Sequence, residues 1–381
     1  MRFSAVLGTY YFAYFAYVGA YSPYITLYLK EAGMTAAQIG LLYSIPQVMR
    51  IVGPNAWGHL ADHTGRPHAI LRMAAVCSFL AFTGMYFGAG FAWLFAVLVV
   101  MHFFTSAQMP LAEAITLDHV HERPGDYGRI RVWGSVGFIV SVLGLGYVLD
   151  TLPVAWVLHV SLALLGLVVA AAFLIPAPRR HTHDGAATPL AAQLKLRVVR
   201  LFLAAGFLNA FAHAALYTFF SIYLAQLGYS KSVIGWMWTI GVLIEIGVFQ
   251  FMPQLTRRFR LETLFFSTFV ACALRFALIA WTAQWWWTLV IAQLLHAFTF
   301  AIYHASAVGL AGKYFGEGNR ARGQAIYISV TFGVGGFAGA MASGILWDLI
   351  GPSWIYSLSA GAGLLGAMLL WPGQRRGAAD R

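Results

Sequence analysis

Charge is scarce in this sequence. Only 10% of the 381 residues are Asp, Glu, Lys or Arg, and acidic residues number 13. Soluble domains carry about 25% charged residues and about 45–50% apolar ones. This chain is instead 60% hydrophobic, with a mean hydropathy of +0.72. The composition therefore excludes an ordinary soluble domain.

Cysteine pairs and the common nucleotide and metal motifs are also missing. Cys77 and Cys272 stand alone within apolar runs, so we expect free thiols rather than a disulfide. No P-loop, H-E-x-x-H motif, paired-cysteine motif or nucleophile elbow occurs. The "HTHD" run at 181–184 fits polar filler better than a metal site. We expect no cofactor, no metal and no enzymatic activity, and an ATP-driven pump is disfavoured.

Long apolar runs are what the sequence has in abundance. A helix that crosses the hydrocarbon core needs roughly 20 apolar residues. Twelve such runs begin near residues 4, 39, 68, 91, 130, 154, 201, 232, 262, 285, 322 and 352. The alternating pattern of a membrane β-barrel does not occur. The sequence predicts an all-α integral membrane protein with twelve transmembrane helices.

The net charge of +11 is distributed unevenly between the connections. Basic residues cluster in alternate connections, whereas the others hold almost none beyond Lys30 and Lys231. This is the positive-inside pattern of a protein with both termini in the cytoplasm. The basic character therefore reflects membrane topology rather than nucleic-acid binding, and we expect a multi-pass protein of a bacterial-type inner membrane.

The longest polar interruption, "APRRHTHDGAATPLAAQLKLRVVR", lies between the sixth and seventh runs. It predicts a cytoplasmic linker over 177–199 between two six-helix bundles, 1–176 and 200–381. "YLKEAGMTAAQIG" at 28–40 aligns with "YLAQLGYSKSVIG" at 223–235. Further matches are His102 with His296, Thr105 with Thr299, Gly137 with Gly335, and Asp150 with Asp348. The bundles are therefore predicted to be parallel repeats, as in a class of transporters that bind substrate near the bilayer midplane.

The stretch "GHLADHTGR" follows the second run and concentrates charge between two apolar segments. It resembles the cytoplasmic loop motif G-x-L-A-D-x-x-G-R of the major facilitator superfamily. The resemblance implies a gating role for Gly58, Asp62, Gly65 and Arg66, with the charges latching the two halves in one state. The second repeat has Thr256 where Asp62 lies, so such a latch is asymmetric. The alternative is a plain turn with positive-inside charges.

Several ionisable residues lie in the apolar runs, where a charge near the bilayer centre costs at least ~2.5–3.5 kcal/mol. They are Arg50, Glu113, Arg131, Glu245 and Arg275, joined by His102, His213, His296 and His304. Such residues are usually paired and functional. Arg50 and Glu245 occupy the same position in the two repeats, so one half presents a cation where the other presents an anion.

The segment "MPLAEAITLDHVHERPGDYGRIRVWGSVGF" resembles the helix 4 to helix 5 region of the lactose permease and its relatives. The resemblance implies that Glu113 pairs with Arg131. It also places Glu245 at that family's helix 8 carboxylate, Arg275 at its helix 9 arginine and His296 at its helix 10 histidine.

The stretches "AHAALYTFFSIYLAQLGYS", "GVLIEI" and "LLHAFTFAIYH" resemble the phenylpropionate permease branch. This resemblance implies a proton-coupled symporter for an aromatic carboxylic acid. One position departs from the lactose permease pattern, because Thr299 replaces the proton-carrying helix 10 carboxylate. If protons are coupled, Glu245 or Glu113 must carry them with His296, or a histidine such as His304 must titrate.

Three intramembrane arginines face two intramembrane carboxylates, so pairing leaves one guanidinium for a substrate carboxylate. Arg50 or Arg131 is the expected clamp, although Arg131 could instead be a positive-inside charge. The tyrosines of the first run share one face, and its middle members Tyr14, Tyr17 and Tyr21 are expected to contact substrate. His213 and Tyr217 repeat this spacing in the seventh run. Packing between helices is the alternative for these side chains.

The sequence therefore predicts a monomeric, proton-driven importer of a small anionic aromatic molecule such as 3-phenylpropionate. A sugar or nucleoside symporter is the alternative, and efflux of hydrophobic compounds is a third possibility. A membrane enzyme or a receptor that binds without transport belongs to a different class, and no catalytic constellation supports the enzyme.

Overall fold

The computed structural model describes residues 2–120, 126–176, 191–316 and 319–379. Twelve long helices account for most of these residues. They are α1 Arg2–Glu31, α2 Ala36–Thr64, α3 Pro67–Thr83, α4 Phe91–His119, α5 Asp126–Thr151, α6 Trp156–Leu174, α7 Arg197–Gln226, α8 Lys231–Arg258, α9 Leu261–Thr282, α10 Trp286–Phe315, α11 (Arg320–Ile328, Ser329–Gly335 and Gly336–Ile350) and α12 Pro352–Ala379. A 3₁₀ turn, Gly84–Tyr86, continues α3, and a short helix, Ala191–Lys195, precedes α7.

The predicted all-α membrane fold is confirmed. Ten of the helices in the described ranges are long and apolar enough to cross a membrane. The other two, α1 and α2, have the length but are less apolar, because α1 carries the tyrosine face and α2 carries Arg50 and the polar loop motif. Both cysteines are free, Cys272 buried and Cys77 half-buried.

The described residues form two compact units, and several helix contacts recur in both units. Unit 1 comprises Met1–Thr182 and Gly228–Thr239, and unit 2 comprises His183–Leu227 and Ile240–Arg381. In unit 1, α1 packs on α5 and α6, and α3 packs on α4 and α6. In unit 2, α7 packs on α11 and α12, and α9 packs on α10 and α12. Each contact of the first set has its repeat counterpart in the second.

Two equivalent glycines show how closely this repeat is kept. A Cβ on Gly137 of α5 would lie 2.2 Å from the carbonyl oxygen of Phe12 on α1. A Cβ on Gly335 of α11 would lie 2.7 Å from the carbonyl oxygen of Phe207 on α7. Only glycine permits backbones to approach so closely. The glycine match found in the sequence therefore marks the same helix crossing in both units.

The first turns of α8 belong to unit 1 rather than unit 2. The Asp150 carboxylate at the end of α5 accepts hydrogen bonds from the backbone N–H groups of Lys231 (2.6 Å) and Ser232 (3.3 Å). The Tyr24 hydroxyl also donates to the Lys231 carbonyl. Helix N-termini leave several N–H groups without intrahelical partners, and a carboxylate from α5 satisfies two of them here. The predicted linker 177–199 lies largely outside the described residues.

Two helices of unit 2 contain a π-helical stretch near their middle. In α10 it covers Ala297–Ile302, and in α11 it covers Ser329–Gly335. Such wide turns are rare and occur frequently at functional sites. The stretch in α10 directly follows His296, so it lies beside the predicted proton-coupling residues.

Candidate substrate and proton-coupling sites

Four side chains predicted to bind substrate lie near one another in unit 1. Tyr14 on α1 is within electrostatic range of Arg50 on α2, Glu113 on α4 and Arg131 on α5. The Arg50 side chain is exposed, whereas Glu113 and Arg131 are half-buried. Residues from four different helices therefore share one locality, as the prediction of a binding site requires.

The direct Glu113–Arg131 ion pair implied by the family resemblance is absent, which corrects that expectation. Among the described residues, no ion pair of 4.0 Å or less includes either side chain. The Arg131 guanidinium instead lies over the Phe15 ring at 4.2 Å and the Tyr11 ring at 5.6 Å. Aromatic faces attract cations through their quadrupoles, so this guanidinium is held by π-electrons with Glu113 as a more distant counter-charge.

The middle tyrosines of α1 differ in how free their hydroxyls are. Tyr17 and Tyr21 are buried, and both reach α4. The Tyr21 hydroxyl bonds to Nε2 of His102 at 3.2 Å, and the Tyr17 hydroxyl lies 3.7 Å from the Met101 sulfur. Tyr14 is partly exposed. Helix packing thus explains Tyr17 and Tyr21 at least in part, and Tyr14 is the member of the three best placed to meet a substrate.

In unit 2, a carboxylate and a histidine face each other across α8 and α10. Oε2 of Glu245 lies 3.9 Å from Nε2 of His296. His296 is buried, and Glu245 is half-buried. Gly241, one turn before Glu245, provides room for the His296 ring, because a Cβ on residue 241 would lie only 3.1 Å from that ring. The structure therefore brings together two residues predicted to couple protons.

Arg275 on α9 lies fully buried in the same region, with 1% of its surface exposed. Its Nη1 donates to Oγ1 of Thr299 at 2.9 Å, and its Nη2 donates to Oε1 of Gln293 at 3.1 Å. Thr299 occupies the position of the carboxylate in the lactose permease pattern. A neutral hydroxyl therefore receives the guanidinium where that pattern has an anion.

His213 and Tyr217 of α7 border this cluster. His213 is buried, and its Nδ1 lies 2.8 Å from the carbonyl oxygen of Asn209. The Tyr217 ring is partly exposed, lies 6.3 Å from the His213 ring and is within electrostatic range of Arg275. The partly exposed Tyr217 ring thus lies near the buried Arg275 guanidinium.

His304 lies on α10 after the π-helical stretch that follows His296. Its side chain is exposed, and its ring stacks on Phe300, which stacks on His296 in turn. The ring centroids are 5.2 Å apart for His296 and Phe300 and 6.5 Å apart for Phe300 and His304. An apolar ring therefore lies between the rings of His304 and His296.

The loop motif ends in a tight turn at Gly65. Helix α2 ends at Thr64, and Gly65 follows with φ +62°, a left-handed conformation that favours glycine. Gly58 lies within α2 and is half-buried. Asp62 and Arg66 are exposed, and neither forms an ion pair with any residue that the structure describes. The latch role of these charges stays a prediction.

Sequence reasoning missed two polar residues of unit 2. Gln293 lies one turn before His296 on α10 and binds Arg275. Tyr303 is buried just after the π-helical stretch, near Asn209 and Tyr327. For Gln293 a signal existed, since a buried amide three residues from a histidine falls on the same helix face. For Tyr303 the sequence offers no indication, because the π-helical stretch places it on a different face of α10 from the one that regular α-helical spacing predicts.

Comparison with known proteins agrees with this architecture. The model of the MFS_1 like family matches residues 5–358. A "probable 3-phenylpropionic acid transporter" of Escherichia coli K12 is 31% identical over 371 residues, which cover 95% of each chain. A "maltose permease" of Geobacillus stearothermophilus is 30% identical over 376 residues, covering 96% of this chain and 94% of the relative.

Solved structures of transporters share the fold. The nucleoside transporter NupG superimposes with a TM-score of 0.83 at 18% identity, and the match covers 98% of this chain and 99% of that one. A bacterial homologue of the human lysosomal transporter Spinster gives a TM-score of 0.73 at 14% identity, covering 100% of this chain and 98% of its own. At such identities the likeness concerns the fold alone.

Proposed function

Because this chain belongs to the MFS_1 like family of membrane transporters, we propose that it is a proton-coupled symporter that imports a small aromatic carboxylic acid such as 3-phenylpropionate. Transport proceeds by alternating access, and the protein acts as a monomer in a bacterial-type inner membrane with both termini in the cytoplasm. The alternate clustering of basic residues supports this orientation.

The observation that carries proton coupling is the Glu245–His296 pair. Its atoms lie 3.9 Å apart within an apolar unit. A carboxylate and an imidazole at this separation can exchange a proton through small movements, and burial makes the charge of each depend strongly on its neighbours. Glu245 binds the proton, His296 sets its affinity, and a conformational change alters the distance between them.

An aromatic acid suits the remaining side chains. Arginine binds a carboxylate through two parallel hydrogen bonds. Each unit holds an arginine at least partly shielded from solvent: Arg131 in unit 1 and Arg275 in unit 2. Tyr14 and Tyr217 present partly exposed rings on which a phenyl group can stack. The relative named for 3-phenylpropionic acid supports this choice of substrate.

A sugar or nucleoside proton symporter is the second candidate. Among relatives, the maltose permease is nearly as similar as the phenylpropionic acid transporter. The buried amides Gln108, Asn209 and Gln293 favour this alternative, because hydroxyl-rich ligands bind amide groups. The excess of intramembrane guanidinium groups over carboxylates favours the acid, since neutral ligands leave that charge without compensation.

Uptake into proteoliposomes tests the proposal. Purified protein is reconstituted, and uptake of labelled 3-phenylpropionate, maltose and a nucleoside is followed with and without an inward proton gradient. We expect accumulation of the acid above its external concentration only when the gradient is present, with collapse on addition of a protonophore. Accumulation of maltose or the nucleoside instead selects the second candidate. Absence of gradient-driven accumulation of all three contradicts a proton symporter of either kind.

A further inference from the structure

The Arg275 guanidinium is a buried cation whose hydrogen-bond acceptors are neutral oxygens. It is 1% exposed, and its two hydrogen bonds go to the Thr299 hydroxyl and the Gln293 amide oxygen. Within the described ranges, no carboxylate lies within 4.0 Å of it. Its Nε is buried and has no acceptor among the described residues. A buried charge without a counter-charge is strongly unfavourable, so this position fits an anion that arrives from outside the protein.

A second donor near Arg275 also lacks an acceptor. Because the amide oxygen of Gln293 faces the guanidinium, its Nε2 remains a donor, and this nitrogen is buried without a partner in the described part of the chain. Nε2 of His213, an electrostatic neighbour of Arg275, is also buried without a partner among the described residues, but it is an acceptor, because Nδ1 donates to the Asn209 carbonyl. Buried polar groups in native proteins are nearly always hydrogen-bonded. The unused donors of Arg275 and Gln293 therefore mark one place that a ligand with several acceptor lone pairs would complete.

The cation of unit 1 is in a different situation. The Arg131 guanidinium lies over the rings of Phe15 and Tyr11 and is within electrostatic range of Glu113. Its charge is thus already balanced by two aromatic faces and a carboxylate. Arg275 lies 5.7 Å from the Phe276 ring and has only dipoles as hydrogen-bond partners, which makes it the more favourable site for a further anion.

We infer that the carboxylate of the transported acid binds Arg275 in unit 2, with Nε and one Nη donating to its two oxygens and Nε2 of Gln293 donating to a remaining lone pair. Tyr217, partly exposed and next to His213, then receives the aromatic ring. This assignment rests on the proposed function, because it assumes that the substrate is an acid. It places the clamp at Arg275 rather than at Arg50 or Arg131.

The chemistry of the site makes a specific demand on the ligand. Sites that contain buried donors reject analogues that cannot satisfy them far more strongly than apolar pockets reject a change of size. The amide of the same acid has nearly the same shape but no charge, and it brings an N–H₂ group toward donors. We therefore expect the protein to prefer 3-phenylpropionate to 3-phenylpropanamide by at least about 100-fold.

Calorimetric titration of the purified full-length protein in detergent with these two compounds tests the assignment. We expect Arg275→Gln to lower the affinity for the acid at least about 30-fold and to leave that for the amide within about threefold, since only the charge contact is lost. Arg275→Lys should recover part of the preference, because it keeps the charge without the paired geometry. Arg72→Gln is the matched control, since Arg72 binds helix-end carbonyls in unit 1, and it should keep the wild-type preference.

The outcomes separate the assignment from the proposed function. If the wild type prefers the acid and a folded Arg275→Gln protein keeps the full preference, the clamp is elsewhere and only the assignment fails. Loss of the preference in Arg131→Gln but not in Arg275→Gln leads to the same conclusion. If the wild type binds the amide as well as the acid, or binds neither, the proposed substrate class fails and the assignment fails with it. Gel filtration and thermal denaturation show whether each variant is folded.

Discussion

His102 and His296 occupy the same position in the two repeats, yet their surroundings differ. His102 in unit 1 is bonded through Nε2 to the Tyr21 hydroxyl at 3.2 Å. His296 in unit 2 faces the Glu245 carboxylate at 3.9 Å, and its Nδ1 is buried without a partner in the described ranges. Thr105 and Thr299, one turn after the two histidines, also differ in their hydrogen-bond partners. The Thr105 hydroxyl donates to its own helix at Met101, whereas the Thr299 hydroxyl accepts from Arg275.

This difference shows that a shared backbone carries two kinds of chemistry. Around His102, neutral hydroxyl and sulfur groups satisfy one another and hold α1 against α4. Around His296, the imidazole faces a carboxylate, and the buried Arg275 guanidinium nearby binds neutral groups and keeps an unsatisfied donor. This arrangement is costly unless the charges are exchanged or bound by a ligand. We therefore expect substitutions near His102 to affect stability and substitutions near His296 to affect transport.

The largest expected effect comes from Glu245→Gln. The amide cannot titrate but keeps the shape of the carboxylate, so uphill uptake of 3-phenylpropionate should be abolished while counterflow exchange of labelled for unlabelled substrate continues. Both are measured in proteoliposomes, with and without a proton gradient. Glu262→Gln is the control, since Glu262 pairs with Lys313 near the start of α9 and should keep uphill uptake. Gradient-driven accumulation by Glu245→Gln at the wild-type level would place the proton elsewhere.

At a second pair of equivalent positions, the residue of unit 1 has the polar partners and the residue of unit 2 lacks them. Asp150 accepts bonds from two N–H groups at the start of α8, whereas its counterpart Asp348 is exposed and makes no hydrogen bond to the described part of the chain. Asp150→Ala should lower the free energy of unfolding by about 1–2 kcal/mol. Asp348→Ala should change it by less than about 0.5 kcal/mol. Melting temperatures in detergent measure both, and equal shifts would show that the cap is not stabilising.

The smallest effect concerns two tyrosines on one face of α1. Tyr21→Phe removes the hydroxyl that bonds to His102 and should cost about 1 kcal/mol. Tyr10→Phe removes a hydroxyl that is buried with no partner among the described residues, so it should be neutral or stabilising. The two changes are chemically identical, and thermal denaturation compares them directly. A loss of stability in Tyr10→Phe equal to that in Tyr21→Phe would mean that packing of the ring, not the hydroxyl, decides.

Much of the fold could be predicted because membrane helices follow from local composition. The predicted twelfth run begins at 352 and its helix begins at Pro352; the fourth run and its helix both begin at 91. Repeat matches such as Gly137 with Gly335 predicted the internal repeat, and the structure places both glycines where two helix backbones touch. The place of α8 could not be predicted in this way. Its first turns join unit 1 through hydrogen bonds to Asp150, a contact 81 residues away in the chain.

The structure brings together several of the residues predicted to form the candidate sites, but their pairing was not predicted. Charged residues in apolar runs are visible in any sequence, so Glu245, Arg275 and His296 were found, and Glu245 and His296 do face each other. The partners of the arginines were not visible. Arg131 lies on aromatic rings rather than on Glu113, and Arg275 binds an amide and a hydroxyl rather than an acid. Pairing depends on side-chain rotation and on neighbouring helices, which a linear pattern does not encode.

The π-helical stretch in α10 has a consequence for how this helix can change. An α-helix advances by about 100° per residue, and a wide turn holds roughly one residue more than an α turn. Removing one residue from 297–302 would therefore restore an ordinary α turn that spans about the same angle, so that His296 on one side and Tyr303 and His304 on the other would keep their faces. A single deletion or insertion can thus convert one form of α10 into the other without rotating either half of the helix.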